Sequence, residues 1–170
     1  MVGVGVTSLS KLEAAVRDFQ RGHEPHDDDP KRLRAAIDAL ELEFSSMARR
    51  VQQRGDHLVD GNISAASWIS RTCGMSLTSA ADRLCVGEQL ESLPKIAQAL
   101  RSGDISYQST SVLCHLRDQL GDKGDLFNED EMLDLARRFS VFNLRKLCNY
   151  ARHIADPDGY VWVLDRPLAG

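Results

Sequence analysis

ISAASWISRTCGMSLTSAADRLCVGEQLESLPKIAQALRSGDISY, residues 63–107, carries a start and a stop signal for each of several short helices. Ser64 is placed to cap a first helix, and Gly74 to close it. Ser76 or Thr78 caps a second, since a side-chain oxygen there accepts from the free amides of the first turn. Pro94 suits the first position of a third, where its missing N–H costs nothing, and Gly103 supplies the left-handed residue that ends it. Ser106 opens a fourth. The expected helices span 64–72, 76–91, 94–101 and 106–119. Helices this short are not stable alone, so they must pack into one compact unit.

Upstream, a helix from Ser8 or Ser10 to Gln20 carries Leu9, Leu12, Val16 and Phe19 on one stripe. After the polar loop RGHEPHDDDP, Asp29 and Pro30 open a long helix that ends near Arg54, before Gly55. Its stripe of Leu33, Ile37, Leu40, Phe44, Met47 and Val51 is spaced 4, 3, 4, 3, 4, the seam of a coiled coil. Residues 1–54 therefore read either as a helical hairpin or as a long helix that pairs with a second copy through that seam. GDHLVDGN links this part to a compact bundle over 61–156. Downstream, Asn128 caps a helix that opens with Glu129, Asp130 and Glu131 and closes with Arg137 and Arg138, the order the helix dipole favours. Ser140 begins the last helix, to about Ala155. Pro157-Asp158-Gly159 marks a turn, and YVWVL (160–164) reads as a strand in an extended tail over 157–170. The fold class is all-α, with seven or eight helices.

The chain has 170 residues, enough for one domain with a sizeable core. Its formal net charge of −4 argues against a protein that coats nucleic acid or anionic membrane over its whole surface, although a local basic patch is compatible with it. Cys73, Cys85, Cys114 and Cys148 lie too far apart in sequence for a zinc ribbon or a redox pair, and read as reduced, small apolar residues. The start of the chain lacks the basic and apolar runs of a secretory signal, which points to the cytoplasm.

The run SWISRTCGMSLTSAADRL…LESLPKIAQALRSGDIS, followed by ARHIADPDG, resembles the bacterial 13E12-repeat family, also called DUF-222, over roughly residues 30–165. The telling pieces are Trp68-Ile69, Gly74-Met75-Ser76, Leu93-Pro94, Gly103-Asp104-Ile105-Ser106 and Ala155-Asp156-Pro157-Asp158-Gly159. In many members the helical domain precedes an HNH nuclease domain, whose histidines and asparagine bind metal and activate water. No residue of that motif is present in this sequence. The resemblance implies a non-catalytic helical domain associated with DNA, without a cofactor or metal of its own.

Three constellations bear on function. Residues 64–90 have the punctuation of a helix-turn-helix, in which Thr78, Ser79, Asp82 and Arg83 face outward and Leu77, Ala80, Ala81 and Leu84 inward. Segment 61–118 balances five basic residues against five acidic ones, whereas duplex binding draws on an excess of cations. The second is the stretch from Leu135 to Ala155, which has no acid and carries Arg137, Arg138, Arg145, Lys146 and Arg152. Together with Arg83 these are the candidate DNA-binding residues. The third, His23-Glu24-Pro25-His26 with Asp27 to Asp29, reads as an acidic loop, since a proline-containing loop offers no rigid metal cage. His57 and His115 read as surface or satisfied core residues. DNA is the first expected partner. The alternative is an interaction module that forms a homodimer through the Leu33-to-Val51 seam.

Overall fold

The computed structural model describes residues 7–59, 61 and 64–155. The expected strand at 160–164 and the 157–170 tail lie outside them. The chain divides into two compact units, 1–33 and 34–170. The first contains α1 (Ser8–Gly22), capped by Thr7 and without a buried residue, and the start of α2 (Asp29–Arg54). The second contains the rest of α2, then α3 (Asp56–Val59), α4 (Ala65–Cys73), α5 (Leu77–Leu90), α6 (Pro94–Ser102), α7 (Tyr107–Leu120), α8 (Glu129–Arg138) and α9 (Val141–Ala155). A 3₁₀ segment, Gly121–Leu126, joins α7 to α8. Among the described residues there is no strand, and the fold is an all-α multi-helix bundle.

The local signals act as their chemistry requires. Ser64, Ser76 and Ser106 each accept from the amide three residues on, and Asn128 accepts from Asp130 and Glu131. Gly74 and Gly103 close α4 and α6 in the left-handed region, at φ 64° and 78°. Helix α6 lacks a side-chain cap of its own, since Leu93 stands at that position. Glu129 of α8 replaces it from across the bundle: its Oε1 accepts from the amides of Lys95 and Ile96 at 2.8 and 2.9 Å. A carboxylate at the positive end of the α6 dipole thus ties α8 to α6.

The main core gathers Val86, Leu90, Ile96, Leu100, Leu113, Leu116, Leu133 and Leu144 from α5 to α9. A smaller cluster of Ala48, Ala65, Ile69, Ala80 and Leu84 lies where α4 and α5 meet α2.

In the single chain the heptad seam of α2 is only partly covered. Leu33, Ile37, Leu40 and Met47 are exposed, Phe44 and Val51 are half-buried, and the buried residues of the helix are Asp38, Leu42, Ser45 and Ala48. The side facing α5 is built from polar and small groups in three tiers, each one helical turn above the last. Glu41 meets Arg83, Ser45 meets Gly87, and Arg49 meets Glu88 and Glu91. At the middle tier the backbones nearly touch. A Cβ on Gly87 would collide with the Ser45 carbonyl oxygen and lie 3.0 Å from Arg49 Cβ. That close approach explains a glycine in the interior of a helix, where it costs roughly 0.5–1 kcal/mol relative to alanine.

Gly87→Ala is therefore expected to destabilise the fold by about 1–3 kcal/mol, despite its better helix propensity. Urea unfolding measures this. Equal or greater stability would show that the α2–α5 approach is not close in solution.

Candidate functional site: a polar network and a groove between α7 and α9

Helix α7 carries Tyr107, Ser111, His115 and Gln119 at four-residue intervals, a polar stripe on a helix that is otherwise mostly buried. The first three converge on Asp82 of α5. The Asp82 carboxylate accepts from Tyr107 Oη at 2.9 Å, Ser111 Oγ at 2.5 Å and His115 Nε2 at 2.9 Å. Arg83 lies alongside, 3.4 Å from Asp82, with its guanidinium forked onto Glu41 at 2.8 and 3.1 Å and 5.1 Å from the centre of the Tyr107 ring. The other ring nitrogen of His115 stands 3.7 Å from Cys85 Sγ. One carboxylate thereby links α5 to α7 and, through Arg83 and Glu41, to α2.

The electrostatics follow from these contacts. Burial alone would raise the Asp82 pKa, but the donors from His115, Ser111 and Tyr107 outweigh it and hold the group below its ordinary value. The hydrogen bond to Asp82, supported by the contact with Cys85, pushes His115 up to about 10. The imidazole is then a cation at neutral pH, and both of its N–H groups are engaged. Burial raises the Tyr107 hydroxyl well above its usual range, so it serves as a neutral donor. The bond to Glu41 raises Arg83. A protonated histidine with both nitrogens occupied is not a general base, and the bonds it makes join α5 to α7.

Beside the network a groove of about 270 Å³ opens between α7 and α9. It is lined by Ser111, His115 and Gln119 on one wall and Arg145 and Asn149 on the other, over an apolar floor that includes Val112, Leu116 and Cys148. Among the described residues no acidic side chain lines it.

The candidate DNA-binding residues differ in their surroundings. Arg83 is turned inward and bound to Glu41. Arg137 is paired with Asp104 at 2.7 Å and with Asp134 at 3.5 Å, and Asp104 raises its pKa. Arg138 lies 3.8 Å from Asp134. The absence of acids within 135–155 overlooked Asp134, one turn earlier on α8, and Asp104, from the turn after α6. Arg145, Lys146 and Arg152 sit on α9: Arg145 lines the groove, Lys146 covers the Phe142 ring at 4.4 Å, and Arg152 donates to Gln119 Oε1 at 3.2 Å. These three make no ion pair among the described residues.

The helix-turn-helix register also differs from expectation. Ala80 and Leu84 are buried and Thr78 is exposed, as anticipated, but Leu77 and Ala81 are exposed while Asp82 and Arg83 point into the network. The hydrogen bonds available to Asp82 outweigh the small apolar surface of Ala81. In the 23–29 loop, His23 stacks on Phe19, and the described residues contain no cluster of three groups able to hold a metal ion. Cys114 and Cys148 are buried, and burial raises both thiols, Cys148 to about 11. Cys73 is exposed.

The described residues form a helical bundle whose polar side chains are largely paired with one another. A family model described as "Domain of unknown function (DUF222)" matches residues 28–166, and the chain belongs to that family. No curated protein and no solved structure matches the chain. No described helix is long and apolar enough to cross a membrane.

The His115–Asp82 pair sets a pH dependence. His115 binds its proton more tightly when folded, so its contribution is fully present below about pH 6.5 and is lost as pH rises toward about 10. The lowered pKa of Asp82 adds a second loss as pH falls below about 4. Thermal melts from pH 5 to 10 should show wild type losing more stability above pH 6.5 than His115→Gln. Parallel curves would mean that the pair carries no linked proton.

Proposed function

We propose that this chain is a non-catalytic DNA-associated module whose phosphate contacts come from α9. The observation that supports this most strongly is the presence of three cations on that helix, Arg145, Lys146 and Arg152, without a carboxylate partner among the described residues of a net acidic chain. Arg137 and Arg138, held by Asp104 and Asp134, flank the contact and add little net charge to it. Binding of this kind positions a duplex without specifying its sequence, because phosphates are the same at every step. The resemblance to 13E12-repeat proteins suggests the use to which it is put, namely holding DNA for an HNH nuclease segment. Arg83 serves the inner network rather than a groove of the duplex.

A second reading, an interaction module, is favoured by the apolar residues that α2 leaves exposed. Leu33, Ile37, Leu40 and Met47 retain coiled-coil spacing, and a second copy could cover them.

Fluorescence anisotropy with duplex DNA at low salt separates the two. Three phosphate contacts predict a log–log salt slope of about −3, and Arg145→Glu with Arg152→Glu should abolish binding. No binding by wild type, accompanied by a concentration-dependent dimer in sedimentation, would favour the interaction module instead.

A further inference from the structure

We propose that the groove between α7 and α9 is a binding site for the phosphate group of a small phosphomonoester, held by Arg145, Asn149 and Gln119. The site shares Arg145 and Arg152 with the α9 surface described above, but it is a groove between two helices and requires no duplex to fill it.

Three observations support it. First, the groove gathers donors from two walls. Arg145 and Asn149 stand on α9, one turn apart, and Gln119 stands opposite on α7. Gln119 accepts from Arg152 through its carbonyl oxygen, which leaves its amide N–H groups to donate elsewhere. Arg152 is thus a positioning residue for Gln119. Donors converging from opposite walls suit a tetrahedral oxyanion, whereas a carboxylate is satisfied by a single guanidinium fork.

Second, the field in the groove is positive. Among the described residues Arg145 makes no ion pair and no acid lines the walls. His115 stands on the α7 wall, but the Asp82 carboxylate that it bonds balances its charge, so the net cation of the groove is Arg145. Its ring nitrogens are committed to Asp82 and Cys85, and it offers an occupant no hydrogen bond.

Third, the size and floor limit the occupant. About 270 Å³ falls just below the range of drug-sized pockets, roughly 300–1,000 Å³. The space takes a phosphate with a short organic body against Val112, Leu116 and Cys148. A free metabolite and the 5′-terminal phosphate of a nucleic acid strand both present that chemistry. An internal phosphodiester of a duplex does not, since its neighbours on both sides would have to enter the groove.

The test is an NMR titration of the full chain, following the side-chain amides of Gln119 and Asn149 and the Arg145 Nε–H. Three probes are used: glycerol 3-phosphate, and a short single-stranded oligonucleotide with and without a 5′-phosphate. Saturable shifts in these signals are expected. They should be weakened about tenfold or more by Arg145→Ala, which removes the charged fork, and left unchanged by Arg101→Ala, an exposed cation on α6. Response to glycerol 3-phosphate assigns the site to small esters. Response only to the 5′-phosphorylated strand assigns it to nucleic acid ends. Absence of saturation with every probe, equal response to the unphosphorylated strand, or equal losses in the two variants would overturn the proposal. Duplex binding without saturation in the groove would reject this site and leave the α9 surface reading intact.

Discussion

The Asp82 carboxylate is the constraint on which the bundle's arrangement depends. Its side chain is only 19% exposed, and an ionised carboxylate in that position is costly unless donors replace the lost water. Tyr107, Ser111 and His115 supply them from successive turns of α7, which fixes both the rotation and the height of α7 against α5. Arg83, its sequence neighbour, carries the constraint to Glu41 on α2. The apolar core provides most of the driving force for packing, but apolar contacts tolerate sliding. The carboxylate network selects one register among those the core would accept.

The same reasoning accounts for what the sequence revealed and what it concealed. Caps and stops are local: Ser64, Gly74, Ser76, Pro94, Gly103, Ser106 and Asn128 mark their helices by chemistry that acts within a few residues, and those elements fall where expected. The contact of α2 with α5 was hidden because polar residues, Glu41, Ser45 and Arg49, carry much of it beside Leu42 and Ala48. A hydrophobic pattern assigns these polar residues to solvent, and their partners lie about forty positions away. Gly87 was a usable signal, since a glycine inside a helix asks for a close neighbour. The cap that Glu129 provides to α6 was not legible, because nothing near Leu93 indicates a donor from another helix. At the candidate site, the four-residue spacing of Tyr107, Ser111, His115 and Gln119 was present in the sequence. Its meaning required the position of Asp82, which amphipathic counting had placed on the outside.

Charge distribution decides how the surface is used. Asp104, from the turn after α6, and Asp134, one turn earlier on α8, pair with Arg137 and Arg138, which sets these two apart from the cations of α9. What remains is α9, with Arg145 and Arg152 directed toward α7 and Lys146 over Phe142. Phe142 and Tyr150 are also exposed on this helix, which gives it apolar as well as cationic surface. The polar groups behind it are mutually satisfied, with Asp82 holding Tyr107, Ser111 and His115.

The most direct measurement is the stability of Asp82→Ala by urea unfolding, together with backbone hydrogen exchange along α2, α5 and α7. Removing the carboxylate leaves three donors without their acceptor. The predicted loss is about 3 kcal/mol, given that hydrogen bonds to a charged group contribute roughly 1.5–3 kcal/mol each and water compensates in part. Exchange should quicken on α2 as well as on α5 and α7, since Arg83 loses its neighbour. A change below about 0.5 kcal/mol, the size of an ordinary surface substitution, with exchange altered only next to residue 82, would contradict the account.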